Sequence, residues 1–123
     1  MDLNMSRSDN RKHVQELAAL REKLNGAIRR KDFPLAEEAC RAIIALDARA
    51  KNLNIMACLY HKDLGEIYLK LLEYEKAVAS LTTAREGLVE YRATRKLKFP
   101  DDWLAELKSI DRLIERIKST HFR

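Results

Sequence analysis

One helix junction is written twice in this chain. Lys31-Asp32-Phe33-Pro34-Leu35-Ala36 and Leu72-Glu73-Tyr74-Glu75-Lys76-Ala77 each present an acid, an aromatic, two variable residues and an alanine, and Ala36 and Ala77 lie 41 positions apart. The residues ahead of the junction keep the step: Leu20 aligns with His61, Leu24 with Gly65 and Ala27 with Tyr68. A further step of 42 leads to Trp103, Leu107 and Ile110. Recurrence at a near-constant step marks one supersecondary unit used repeatedly, with stacked neighbours burying each unit's apolar face. The three aligned stretches read as the first helices of two and a half hairpin repeats, the half repeat leaving its helix as a cap.

Helical periodicity fills in the rest. From about Asp9 the apolar residues Val14, Leu17, Leu20, Leu24, Ala27 and Ile28 make a first helix, and the basic run Arg29-Arg30-Lys31 opposes the negative end of its dipole. Pro34 suits the first position of a second helix carrying Leu35, Ala36, Ala39, Cys40, Ile43, Ile44 and Leu46. The next boundary, within Asp47 to Asn52, has neither Gly nor Pro to mark it. A third helix runs to Leu71 with Ile55, Leu59, Leu64, Ile67 and Tyr68 on its face. A fourth carries Tyr74, Ala77, Val78, Leu81, Ala84 and Leu88 and continues past Gly87 to about Thr94. Arg95 to Pro100 is a linker, Asp101 an N-cap, and Trp103, Leu104, Leu107, Ile110, Leu113, Ile114 and Ile117 belong to a fifth helix. With only 3 Gly and 2 Pro the chain lacks the turns of a β protein. The expectation is an all-α domain over residues 9–123, preceded by a polar, frayed tail at 1–8. A plain five-helix bundle is the alternative arrangement.

The central hairpin resembles the tetratricopeptide repeat. That family's pattern runs W-x2-L-G-x2-Y, then A-x3-F, then P; here stand His61-x2-Leu64-Gly65-x2-Tyr68 and Ala77-x3-Leu81, with Ala84 a turn later. Gly65 is read as the point where the second helix of the pair comes close. The first repeat matches less, through Leu24, Ala27 and Ala36-x3-Cys40, while Trp103 stands at the register of the missing Trp. The resemblance spans residues 14–117. Its departure is the period, since the family repeat is about 34 residues; the longer step implies longer helices.

The resemblance implies antiparallel hairpins stacked as a short superhelix. It also implies a groove, lined by the first helix of each repeat, that holds a peptide or helix of a partner protein. At equivalent register stand Arg29, Lys70 and Arg112; one turn earlier Asn25, Glu66 and Lys108; another turn earlier Arg21 and Lys62. These eight are the candidate binding residues, and Arg29, Lys70 and Arg112 form a basic row. Some members of the family grip a C-terminal carboxylate with a K-x3-N pair, which Arg21-x3-Asn25 resembles. The next Asn falls at Asp63, which would repel a carboxylate, so a looser acidic segment is the implied ligand. The implied function is an adaptor or chaperone-like scaffold. The bland reading is that the row is a solvated face whose cations serve helix ends.

Other functions find less support. The chain has no H-E-x-x-H, phosphate-cradling Gly loop or G-x-S-x-G, and His13, His61 and His121 are far apart. No enzyme, metal or cofactor is expected. Cys40 and Cys58 read as buried free thiols. The first residues carry no apolar signal core, and no run reaches the roughly 18 apolar residues of a membrane span; a cytoplasmic chain without a membrane partner is expected. The net charge of +5 is too small to imply nucleic acid. Arg92, Arg95, Lys96 and Lys98, flanked by Tyr91 and Phe99, are the one segment that invites it, and a solvated linker is preferred. Finally, Trp103, Leu107, Ile110, Ile114 and Ile117 follow a heptad spacing. Self-association as a homodimer through this helix is the alternative function.

Overall fold

The computed structural model describes residues 7–122, and every described regular element is helical. Five α-helices follow in order: α1 Arg7–Arg29, α2 Phe33–Arg49, α3 Ala57–Lys70, α4 Tyr74–Thr94 and α5 Leu104–His121, with one 3-10 turn at Lys51–Leu53. The chain divides into two compact units, one ending at Ile55 and the other starting at Met56.

The first unit is the α1–α2 hairpin. Its cross-helix bonds pair late residues of one helix with early residues of the other. Lys23 bonds Glu38 at 2.6 Å, Glu16 bonds Arg49 at 3.0 Å, and Asn10 bonds Asn52 beyond the end of α2 at 2.5 Å. The helices are therefore antiparallel, as the short turn between them requires. In the second unit α3 and α4 form another antiparallel hairpin, and α5 packs back along α4. Arg85 meets Asp111, and Tyr74 at the start of α4 stacks on His121 at the end of α5.

The sequence repeat is reproduced in the backbone. Both hairpins turn through a residue in the left-handed region, Lys31 at φ 60° and Leu72 at φ 61°. The N–H of Asp32 donates to the carbonyl of Ala27 at 2.8 Å, and that of Glu73 to Tyr68 at 2.9 Å. Lys31 donates to Ile28 at 3.0 Å and Leu72 to Leu69 at 3.1 Å. These are the two bonds of a Schellman turn, which satisfy carbonyls left open at a helix end. Ala36 and Ala77, at the same step, are fully buried. The burial of Ala39, Cys40 and Ile43 on α2 recurs in Ser80, Leu81 and Ala84 on α4.

The sequence expectation at Gly65 is met in atomic terms. A Cβ there would lie 2.6 Å from Cγ of Leu81 and 3.3 Å from the carbonyl oxygen of Ala77. Gly87 makes the second close approach of this hairpin, where a Cβ would lie 2.9 Å from Cβ of Cys58. That approach accounts for a glycine at position 87 inside α4.

Some boundaries differ from the sequence reading. The first helix begins at Arg7, so Arg7 and Ser8 of the expected tail are helical, and residues 1–6 of it lie outside the described residues. Pro34 is the second residue of α2, not the first. After α2 the chain makes the 3-10 turn and passes through Asn54 at φ 55°, so Ile55 precedes α3 instead of lying on it. Asn tolerates the left-handed region better than other side chains with a Cβ, and here it does the work of the absent Gly. The fifth helix starts at Leu104, after Trp103 at φ 71°, so neither Asp101 caps it nor does Trp103 occupy a helical register. Cys40 is buried as expected, whereas Cys58 is only half-buried.

Candidate functional site

The eight candidate binding residues lie on three helices. In the first unit Arg21, Asn25 and Arg29 follow each other by one turn on α1, and all three are exposed. Arg29 and Arg30 share a shallow depression with Ala19, Glu22, Lys23 and Gly26. The Arg30 guanidinium crosses the bare backbone of Gly26, where a Cβ would meet Nη1 at 3.0 Å. In the second unit Lys62, Glu66 and Lys70 follow by turns on α3; Lys62 is half-buried and the other two are exposed. Lys108 and Arg112 are exposed on α5.

Arg29 and Lys70 are the last residues of α1 and α3. Their equivalence, read from the repeat, therefore holds within each hairpin, where each cation sits at the negative end of its helix dipole. Arg112 is different. It stands in the middle of α5, which runs on through the register at which α1 and α3 end.

Asp63 gives α3 a mixed character. Its carboxyl is half-buried between Lys62 and Glu66 and is pushed up to about 6, first by burial and then by the Glu66 charge, against the pull of Lys62. The repulsion expected of Asp63 toward a carboxylate is therefore present at neutral pH and fades in mild acid. Burial likewise pushes the Cys58 thiol up, which disfavours the reactive thiolate.

The basic linker has more structure than its composition suggests. Arg92 belongs to α4, and its guanidinium donates from Nε to the carbonyl of Asp102 at 2.9 Å and from Nη2 to that of Pro100 at 2.6 Å. The Arg95 guanidinium lies 5.4 Å from the Tyr91 ring centre, and the Lys98 ammonium 5.6 Å from that of Phe99. Tyr91 meets Trp103 edge to face. Two of the rings read as stacking candidates are thus already in contact with cations, and Arg92 is a brace. Sequence reasoning missed that brace, because it bridges residues that only the folded turn brings together.

The heptad residues of α5 face mainly inward. Ile110 and Ile117 are buried where α5 packs on α4, and Leu107 and Ile114 are half-buried beside them. Among the described residues no group of three or more His, Cys, Asp or Glu is placed to hold a metal ion. His61 is half-buried, and Glu37 and Glu38 face different partners, Arg41 and Lys23. No described helix is long and apolar enough to cross a membrane. No family model, curated protein or solved structure matches the chain.

Proposed function

We propose that the chain is a tetratricopeptide-like binding module, an adaptor or chaperone-like scaffold of the cytoplasm. Acidic segments of a partner protein, as peptide or helix, dock on the charged stripe of α1 in the first unit and, independently, on those of α3 and α5 in the second. The observation that carries this reading is the repeated turn. A chain that makes the same Schellman turn, with the same buried Ala, at a step of 41 has the hairpin repeat written into its backbone, and stacked repeats present extended binding surfaces. The exposure of Arg21, Asn25, Arg29, Glu66, Lys70, Lys108 and Arg112 supports it further.

Arg29 and Lys70 also stabilise their own helix ends, so binding and stability must be measured apart. The test is affinity capture of partners with the parent chain and with Arg29→Glu, Lys70→Glu and Arg112→Glu combined. Dissociation constants are then measured for each captured protein. The reading expects the triple variant to lose at least tenfold in affinity while its stability falls only by the reversal of two helix-end charges, about 0.3–1 kcal/mol each for the lost cation and a similar amount for the carboxylate that replaces it. Captured partners that bind both chains equally would defeat the assignment of these stripes.

A further inference from the structure

We propose that residues 95–99, which lead from α4 into the closed turn of residues 99–102, form a contact site for an anionic phospholipid surface, with Phe99 entering the interface and Arg95, Lys96 and Lys98 meeting the headgroups. This goes beyond the protein-binding reading and uses none of its residues.

The turn is held closed from two sides. Arg92 donates to the carbonyls of Pro100 and Asp102, as described above. The N–H of Phe99 donates to the Asp102 carboxylate at 3.0 Å, and the N–H of Asp102 returns to the carbonyl of Phe99 at 3.1 Å. Neighbouring Tyr91, on α4, and Trp103 are half-buried against each other. Phe99 instead stays 58% exposed. A single exposed apolar side chain is ordinary, and Leu72 is more exposed still; what sets Phe99 apart is the company of three exposed cations, Arg95, Lys96 and Lys98, within four residues.

Its surroundings set the chemistry of the occupant. Arg95, Lys96 and Lys98 are all exposed, and among the described residues none of them is ion-paired. The acids that follow offset them in part, because Asp101 is exposed while the Asp102 carboxylate is engaged by the backbone of Phe99. Cations beside a protruding apolar tip complement a surface that is negative outside and apolar within. An anionic bilayer is such a surface, and it accepts a convex tip without needing a matching pocket. A nucleic acid fits less well, because base stacking needs open rings. Here Lys98 covers one face of Phe99, Arg95 lies over Tyr91, and Trp103 contacts the same Tyr91. Surface contact of this kind needs no spanning helix.

The test is co-sedimentation of the full chain with phosphatidylcholine vesicles, with and without phosphatidylserine. Binding is expected only to vesicles containing phosphatidylserine. Phe99→Ala should weaken it about tenfold. Lys96→Glu with Lys98→Glu should weaken it by more than about fivefold for each cation reversed. The triple variant of Arg29, Lys70 and Arg112 should bind these vesicles as the parent does, which separates this site from the protein-binding stripes. Circular dichroism checks that each variant keeps its helices, and Phe99→Ser serves if Phe99→Ala does not fold. Absence of binding to phosphatidylserine vesicles overturns the proposal. So does binding that ignores Phe99, or a generic RNA or DNA that binds tighter than vesicles through the same cations.

Discussion

The α1–α2 and α3–α4 hairpins share a turn and differ in how they fill the space between their helices. At the step of 41, Gly65 and Leu81 in the second hairpin correspond to Leu24 and Cys40 in the first, and Cys58 and Gly87 correspond to Leu17 and Leu46. The second hairpin lets bare backbone at Gly65 and Gly87 meet a side chain from the opposite helix. The first carries buried side chains at all four positions. One turn thus serves two packing solutions, because the Schellman bonds fix only the last residues of the first helix and the first of the second. What lies a turn or two away is free to trade large for small, provided the volume between the helices is filled.

The largest effects should come from breaking each solution at its own point. Leu24→Ala opens a cavity in the first hairpin and should cost about 2–5 kcal/mol. Gly65→Ala does the opposite in the second. Its new Cβ would press on Leu81, and the loss should be about 1–3 kcal/mol from overpacking. Denaturant titration of both variants checks this. The contrast sharpens in the double variant Gly65→Ala with Leu81→Ala, where the smaller partner relieves the clash and the two losses should fall short of their sum. Additive losses would mean that the approach at Gly65 is not what sets the packing.

This contrast also shows which parts of the structure the sequence carries openly. The turn was legible because it is local: an acid, an aromatic and an alanine recur wherever the same bonds form. The close approach at Gly65 was legible because a glycine inside an apolar helix has few other uses. The start of α5 was not. Asp101 and Asp102 look like a helix start, but the Asp102 carboxylate is turned to the N–H of Phe99 and its carbonyl is held by Arg92, ten positions earlier. A side chain from the preceding helix thus overrides a local signal. The start of α3 was obscured in another way, since Asn54 in the left-handed region replaced the Gly or Pro that marks most turns. For the candidate site, periodicity placed Arg29, Lys70 and Glu66 on exposed faces. The state of Asp63 could not be read, because it depends on burial.

Asp63 extends the comparison to charge. Its counterpart in the first hairpin is Glu22, which is exposed, whereas Asp63 is half-buried and pushed up to about 6 from an ordinary 3.8. A raised carboxyl keeps its proton in the folded chain over a range where the unfolded chain has lost it. Folded chains then bind more protons than unfolded ones, and stability falls as pH rises through that window. Asp63 therefore weakens the fold above about 6 and ceases to do so as pH drops towards 3.8. Asp63→Asn should raise the melting point by a few degrees at neutral pH, with the gain shrinking as the buffer is made acidic. A constant gain for Asp63→Asn at every pH would show that packing, not charge, is responsible.

The smallest effects should come from the turn that the hairpins share, and here the two should behave alike. Lys31 and Leu72 both hold a left-handed conformation that a side chain with a Cβ adopts at a cost of roughly 1–2 kcal/mol. Both are exposed, Leu72 at 69%, so a glycine in either place gives up little packing. The gain is offset in part by the freedom a glycine adds to the unfolded chain, about 0.4–1 kcal/mol. Lys31→Gly and Leu72→Gly should therefore each stabilise by about 0.5–1 kcal/mol. Thermal melts of the two single variants and the double variant check it, with the gains adding because the turns are separate. A gain at Leu72 without one at Lys31 would show that the turns, alike in their hydrogen bonds, differ in strain.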